Sequence, residues 1–342
     1  MSSPTPIIGQ TPLRGMHWPT IDPFLFCAHH VDHYPAGDAR MAPKADLSGR
    51  NMGSDFSGKD GFSMYHGQGA PGFPQHPHRG FETVTLARSG FIDHSDSMGA
   101  QARFGQGDVQ WMTAGRGVVH AEMFPLIQAE GPNPAELFQL WMNLPAHDKM
   151  VEPSFRMLWS EQIPRHRVVD AEGRVAELTV MAGAYGGLQP PAPPPNSWAA
   201  KPENNVAIWT LALSAGARFT LPPAPPQAER VVYLFAGSAA LVAGERVSLP
   251  AAVQLRADRA VEVVAVDGPV ELLLLQGNPI REPVAQQGPF VMNTQAELQQ
   301  AFADYRRTRF GGWPWPSDDP THPRAEGRFA RHADGRRERP TA

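Results

Sequence analysis

Two short stretches of this sequence carry residues able to do chemistry. His76-Pro77-His78 comes first, and His120-Ala121-Glu122 follows after strand-like sequence. Alternate residues of an extended strand point to the same face, so His76 projects with His78 and His120 with Glu122. Two strands facing a common interior would bring three imidazole nitrogens and one carboxylate around an octahedral metal and leave two positions open. That donor set is close to the histidine and carboxylate face of non-heme Fe(II) sites, whose open positions admit a substrate or dioxygen. A single buried histidine is usually a satisfied core group. Two on one strand face beside a His-x-Glu pair would each need a separate buried partner, so the pattern predicts a metal site. Nitrogen and oxygen donors also suit manganese, nickel, cobalt or zinc, and the general affinity order favours copper.

The elements that must position these residues read as strands. The chain has 32 Gly and 36 Pro with short Val- and Leu-rich runs between them, a pattern of many turns and short strands. Strands are predicted at 81–88, ending at Ser89-Gly90, and at 107–112, 136–142, 175–180, 206–211, 230–235 and 261–266. The architecture is therefore all-β, a closed barrel or a sandwich. Gly115 and Gly117 flank Arg116 just before Val118-Val119-His120, where they can make the turn that delivers the second pair of donors. One helix stands out near the end: Asn293 or Thr294 can cap it, Glu297 stands three residues beyond Thr294 as in a capping box, and Leu298, Ala301, Phe302 and Tyr305 make an apolar stripe. Beyond Gly311 the sequence predicts irregular structure tethered by Trp313 and Trp315. The segment around Leu144 to Pro164 reads as a connection between two similar halves, and the proline-rich run from Gly186 to Pro195 as a stiff surface connection within the second.

Composition excludes several classes of function. In 342 residues, 30 basic against 34 acidic side chains leave a net charge of only -4, which gives no electrostatic case for nucleic acid or an anionic membrane. A single cysteine, Cys27, rules out an intrachain disulfide and a thiolate zinc cluster. The N-terminus lacks a basic start followed by a long apolar stretch, and runs such as Val270 to Leu275 are too short to span a bilayer. A cytoplasmic protein is the expectation.

The residues around the histidines also carry a resemblance. His76 to Thr85 and Gly107 to Met123, supported by Leu140 to Pro145 and Glu282 to Thr294, resemble the pirin family of the cupin superfamily across residues from about 20 to 310. The resemblance implies a bicupin: two double-stranded β-helix barrels, at 1–150 and 151–292, with a C-terminal helix and tail at 293–342 and Fe(II) in the first barrel. It carries over the metal ligands as His76, His78, His120 and Glu122. The general cupin pattern would nominate Glu82 instead, and the resemblance places Glu82 beside the site or lining the pocket. It implies dioxygenase activity on a flavonol such as quercetin, or on another enolic or catecholic small molecule, with Glu122 or Glu82 as proton acceptor. It equally implies a regulator that binds protein partners through its iron site without turnover, and a third reading is other cupin metalloenzyme chemistry.

Three further features stand outside the motif. Phe24 to Tyr34, followed by a Gly- and Ser-rich stretch to Gly67, is longer than a minimal family member needs and reads as a surface loop able to hang over the opening. Within it, His29, His30, Asp32 and His33 raise the alternative of a second metal site, against histidines that hydrogen-bond locally. Arg79 and Arg116 either line the mouth or form structural pairs with Glu82 or Asp108, and the structural role is the expectation. Phe73, Phe81, Trp111, Met112, Met123 and Phe124 are core candidates from which a pocket wall could be drawn. Glu271, Gln276 and Arg281 form no ligand-spaced cluster, so the second half is expected to serve as support.

Overall fold

The computed structural model describes residues 5–341. The fold is mostly β-strand, with one α-helix at Gln295–Thr308 among the described residues. The chain forms two compact units that interleave in sequence. One takes the chain through Ala28 together with Gln162–Arg281, and the other takes His29–Glu161 with the chain from Glu282 onward. No helix among the described residues is long and apolar enough to cross a membrane.

The histidine-bearing unit holds two sheets. In one, Ser154–Leu158, Asp108–Thr113, Phe81–Ser89, Asn133–Asn143 and the 29–34 portion of the strand Phe24–Tyr34 lie in that order. The other runs Arg337–Glu338, Phe329–Arg331, Gln101–Gly105, Phe91–Asp96, Val118–Met123, Gly72–His78. Every residue of Asp108–Thr113 and of Val118–Met123 is buried, so these strands have no solvent face. Their polar members therefore need internal partners. Thr113 donates to Glu82 at 2.7 Å, and Thr85 donates to Gln139 at 2.6 Å.

The other unit is built differently inside. A seven-stranded sheet includes Glu229–Ala236, Val270–Gly277, Ala207–Leu213 and Val175–Ala182, and a four-stranded sheet includes Val261–Val266 and Ala239–Val242. Alternation is plain in Val261–Val266, where Val261, Val263 and Ala265 are buried and the residues between them are not. Leu178, Trp209, Val232, Leu234, Val253, Val263, Leu272 and Leu274 belong to one continuous apolar core.

All seven strands expected from sequence form, each within a few residues of its predicted ends. The helix has both halves of its capping box, and Leu298 and Ala301 bury against Phe290 and Met292 with Phe302 and Tyr305 alongside. Two expectations need correction. Phe24–Tyr34 is an eleven-residue strand and not a loop. Its alternation sends His30, Asp32 and Tyr34 inward and leaves Val31 and His33 exposed, so His29, His30, Asp32 and His33 do not converge on one point. His29 instead meets Glu136 at 2.9 Å, and Asp32 accepts from Tyr65 Oη and the Ser63 amide. The only group of metal-donor side chains close enough to share an ion, among the described residues, lies elsewhere.

The second correction concerns the tail, which is not wholly irregular. Phe329–Arg331 adds a strand to Gln101–Gly105. The cause is Arg103, a buried guanidinium that binds both oxygens of Asp93 at 2.7 Å and has donors to spare. The carbonyls of His322, Pro323 and Glu326 accept them, which draws the tail onto the sheet. Trp315 does tether the tail, donating to the Asp96 carbonyl, while Trp313 bonds only locally to Ser317.

Candidate metal centre

Gly72–His78 and Val118–Met123 are antiparallel neighbours, and the register sets His76 directly opposite His120. An irregularity between Phe73 and His76 shifts the pairing just before the first histidine. The three rings converge: centroids lie 4.5 Å apart for His76 and His120, 4.8 Å for His76 and His78, and 4.9 Å for His78 and His120. One donor atom from each of His76, His78 and His120 lies within 4.8 Å of the others, a spacing on which one divalent ion such as Fe(II) could be held.

The turn that feeds His120 depends on its glycines. Gly115 has φ 48° and Gly117 φ 136°. A Cβ on Gly117 would lie 2.6 Å from the Phe310 ring, and one on Gly115 would lie 2.1 Å from the Val151 carbonyl oxygen. Both positions therefore need glycine for space as well as for backbone angle. Arg79 and Arg116 are structural here, though with partners other than the expected ones. Arg79 donates to the Arg116 carbonyl and to Asp304, and Arg116 pairs with Glu152. Asp108 is taken by Arg328 and by the amides of Gly105 and Ser160.

Protonation favours ligation. His76 Nδ1 lies 2.9 Å from the Pro74 carbonyl, which places the proton on Nδ1 and leaves the Nε2 lone pair available. Burial lowers His76 to about 4 and holds His78 and His120 well below the usual imidazole range, with the neighbouring imidazoles adding to the effect. His120 is fully buried, and neither of its ring nitrogens has a hydrogen-bond partner. An imidazole with two unmet nitrogens in a protein interior is costly unless a cation meets one of them, so the residues fit a metal.

Glu122 sits beside this cluster. Its Oε2 is 3.7 Å from His120 Nε2, the Thr85 hydroxyl lies 3.1 Å from Oε1, and Gln139 donates to Oε2 at 3.3 Å. Burial raises its pKa, with His94 and Thr85 opposing. Glu82 is fully buried and accepts from Thr113. Phe81 and Trp141 pack on His78 at 5.0 and 5.4 Å, and Phe73 lies 6.3 Å from His76. The inserted stretch reaches this wall through Tyr65, stacked on Phe73 at 5.2 Å, and its own fold rests on buried Arg50, which binds Asp55 and the Lys59 and Phe62 carbonyls. Trp111, Met112 and Met123 are core residues. Cys27 is also buried, and burial raises its thiol far above the usual range, so it is inert.

Sequence reasoning missed a fourth imidazole. His94 is fully buried, its ring lies 5.5 Å from His120, its Nε2 is 3.1 Å from Asp96, and the register pairs His94 with Glu122. The signal was present: His94-Ser95-Asp96 repeats the two-residue spacing of the other donor pairs.

Two family models match the chain, Pirin over residues 37–142 and the Pirin C-terminal cupin domain over residues 208–311. A Pirin-like protein from Solanum lycopersicum is 36% identical over 250 residues, covering 70% of this chain and 77% of its own. Pirin from Homo sapiens is 35% identical over 255 residues, covering 73% and 81%. Among solved structures, Quercetin 2,3-dioxygenase from Acinetobacter baumannii superposes with a TM-score of 0.70 at 28% identity, covering 90% of this chain and 98% of its own.

Proposed function

The chain belongs to the pirin family, and from that premise we propose that it is an iron-dependent dioxygenase acting on a flavonol or another enolic small molecule. On this reading each unit is a cupin barrel, and His76, His78, His120 and Glu122 hold the ion. The observation that carries the proposal is His120, buried between two other imidazoles with both nitrogens unmet. The likeness to a structure titled quercetin 2,3-dioxygenase supports the substrate class.

When bound, the metal supplies Lewis-acid polarisation and a redox partner for dioxygen. The chain supplies the rest. Glu122, raised by burial and steadied by Thr85 and Gln139, takes the proton of the substrate hydroxyl. Phe73, Phe81 and Trp141 give an apolar wall for an aromatic ring and keep water from the deprotonated oxygen. Glu82, engaged by Thr113, supports the strand that carries it and lies behind the reacting groups in this reading.

The test is metal analysis of anaerobically purified protein with oxygen uptake on quercetin in the same samples. Wild type should hold near-stoichiometric iron and consume oxygen, and His78→Ala should lose both. Glu122→Gln should lower uptake by about 100-fold or more, the usual scale for a lost general base. Glu82→Gln should lower it less. Iron without uptake on quercetin or a simple catechol would return the reading to a protein-binding regulator, and wild type that takes up no metal from Fe(II) would sink it.

A further inference from the structure

We propose that the unit lacking the histidine cluster carries a binding site of its own, for a small carboxylate with an apolar body, centred on Arg230. Arg230 lies on the Glu229–Ala236 strand and is 1% exposed. It is the one charged side chain buried in that unit among the described residues. Its Nε and Nη2 both donate to Gln276 Oε1, at 2.8 and 2.6 Å, and Nη2 also donates to the Pro222 carbonyl at 2.9 Å. Nη1 has no partner. No carboxylate pairs with the guanidinium among the described residues, so its charge meets only neutral dipoles.

The arrangement is held in place and not accidental to one rotamer. Gln276 Nε2 donates to the Asn205 carbonyl at 3.0 Å, which turns the amide so that its oxygen faces Arg230. A buried cation without a counter-ion is retained at a cost unless something supplies the charge. Both Arg230 and Gln276 line a cavity of about 630 Å³, within the range of small-molecule sites. Much of the remaining lining is apolar: Trp209, Pro191 and Pro193 of the proline-rich run, and Pro223. Trp209 spends its indole N–H on the Ala182 carbonyl, so what it offers a ligand is ring surface. Lys201 also borders the cavity but is exposed, so the cationic group buried in the lining is Arg230, and it selects a ligand with an anionic end. With Nε and Nη2 taken, Nη1 can donate to one oxygen of a carboxylate, whereas a phosphate is best held by several buried donors, and Nη1 is the one unmet donor on this guanidinium.

The experiment titrates the full chain with benzoate and its neutral isostere benzamide by calorimetry, using wild type, Gln276→Glu, Arg230→Met and His78→Ala. Benzoate should bind wild type saturably, and benzamide about 10-fold or more weakly, the scale of one charge-assisted contact. Gln276→Glu places a carboxylate on the guanidinium from within. It should keep or raise the melting temperature and lose benzoate affinity by a similar factor, so the result does not depend on Arg230→Met folding. His78→Ala should bind benzoate as wild type does. Equal binding of benzoate and benzamide, binding unchanged in Gln276→Glu, or binding lost in His78→Ala and kept in Gln276→Glu would each overturn the proposal. So would inorganic phosphate binding where benzoate does not.

Discussion

The two units use the same kind of strand and fill their interiors in opposite ways. The unit with the histidines buries Glu82, Asp93, His94, Asp96, Arg103, Asp108, Gln110, His120 and Glu122. Among the described residues, the other buries only Ser197, Asn204, Arg230 and Gln276 of its polar side chains, around a core of Leu, Val, Ala and Trp. Most of the buried polar groups in the first unit are matched: Arg103 to Asp93, Glu82 to Thr113, Asp108 to two amides and Arg328. Unmet ring nitrogens remain on His78, His94 and His120, alongside scattered unmet atoms on Arg50, Ser95, Gln110 and Trp111. In the second unit the unmatched donor is on Arg230. Polar burial that finds its partners builds structure, and ring nitrogens that converge, as those of His76, His78 and His120 do, are where an ion could be held.

The largest effect that sharpens this contrast is on stability. Leu274 is fully buried in the apolar core, and Leu274→Ala should cost about 2–5 kcal/mol of unfolding free energy, the range for deleting a packed leucine. Iron content per folded molecule should stay at the wild-type level. Denaturant titration with metal analysis checks both. A Leu274→Ala protein that folds and loses its iron would break the division of labour between the units.

Next comes acid. Burial depresses His76 to about 4 from its ordinary 6.5, and holds His78 and His120 well below the usual imidazole range. For a group whose pKa falls on folding, the unfolded chain takes up the proton first, so stability is full above the unfolded value and is lost as pH falls through the folded one. Metal-free protein should therefore weaken as pH drops from about 6.5 to 4, and His120→Leu should flatten that part of the curve. The apolar unit offers no comparable buried imidazole. Melting temperature against pH, with and without chelator, reads this out, and an equal slope in His120→Leu would mean that other groups govern acid sensitivity.

How much of this was legible depends on whether the information is local. His76, His78 and His120 were readable because alternation in a strand is a two-residue rule, and Val261–Val266 and Phe81–Ser89 were readable for the same reason. The strand at Phe24–Tyr34 was hidden by its polar members, of which His29 and Asp32 are paired through tertiary contacts that no spacing reveals and His33 faces solvent. The tail was misjudged because its ordering comes from Arg103, more than 200 residues earlier in the chain. The interleaving of the units, with the chain through Ala28 joined to residues from Gln162 onward, leaves no mark on composition at all. Gln276 was visible as a residue that fits no ligand spacing, but its bond to Arg230 across 46 positions was not.

The smallest expected effect tests the part of the chain where local rules and structure agree most closely. Thr294 accepts from the Glu297 amide at 3.2 Å while Glu297 accepts from the Thr294 amide at 2.8 Å, a reciprocal pair that satisfies two otherwise unmet donors at the start of Gln295–Thr308. Removing the hydroxyl in Thr294→Ala should cost about 1 kcal/mol, the usual value of a cap. The helix carries Asp304, which holds Arg79, the residue directly after His78. If frayed first-turn structure spread along the helix, Arg79 and then the metal would feel it. The helix is anchored instead by Leu298 and Ala301 packed on Phe290 and Met292, one turn beyond the cap. Thr294→Ala should therefore lower stability and leave iron affinity within about twofold of wild type, since fraying falls off within the first turn. A larger loss of iron would show that the helix end is coupled to the metal centre through Asp304 and Arg79.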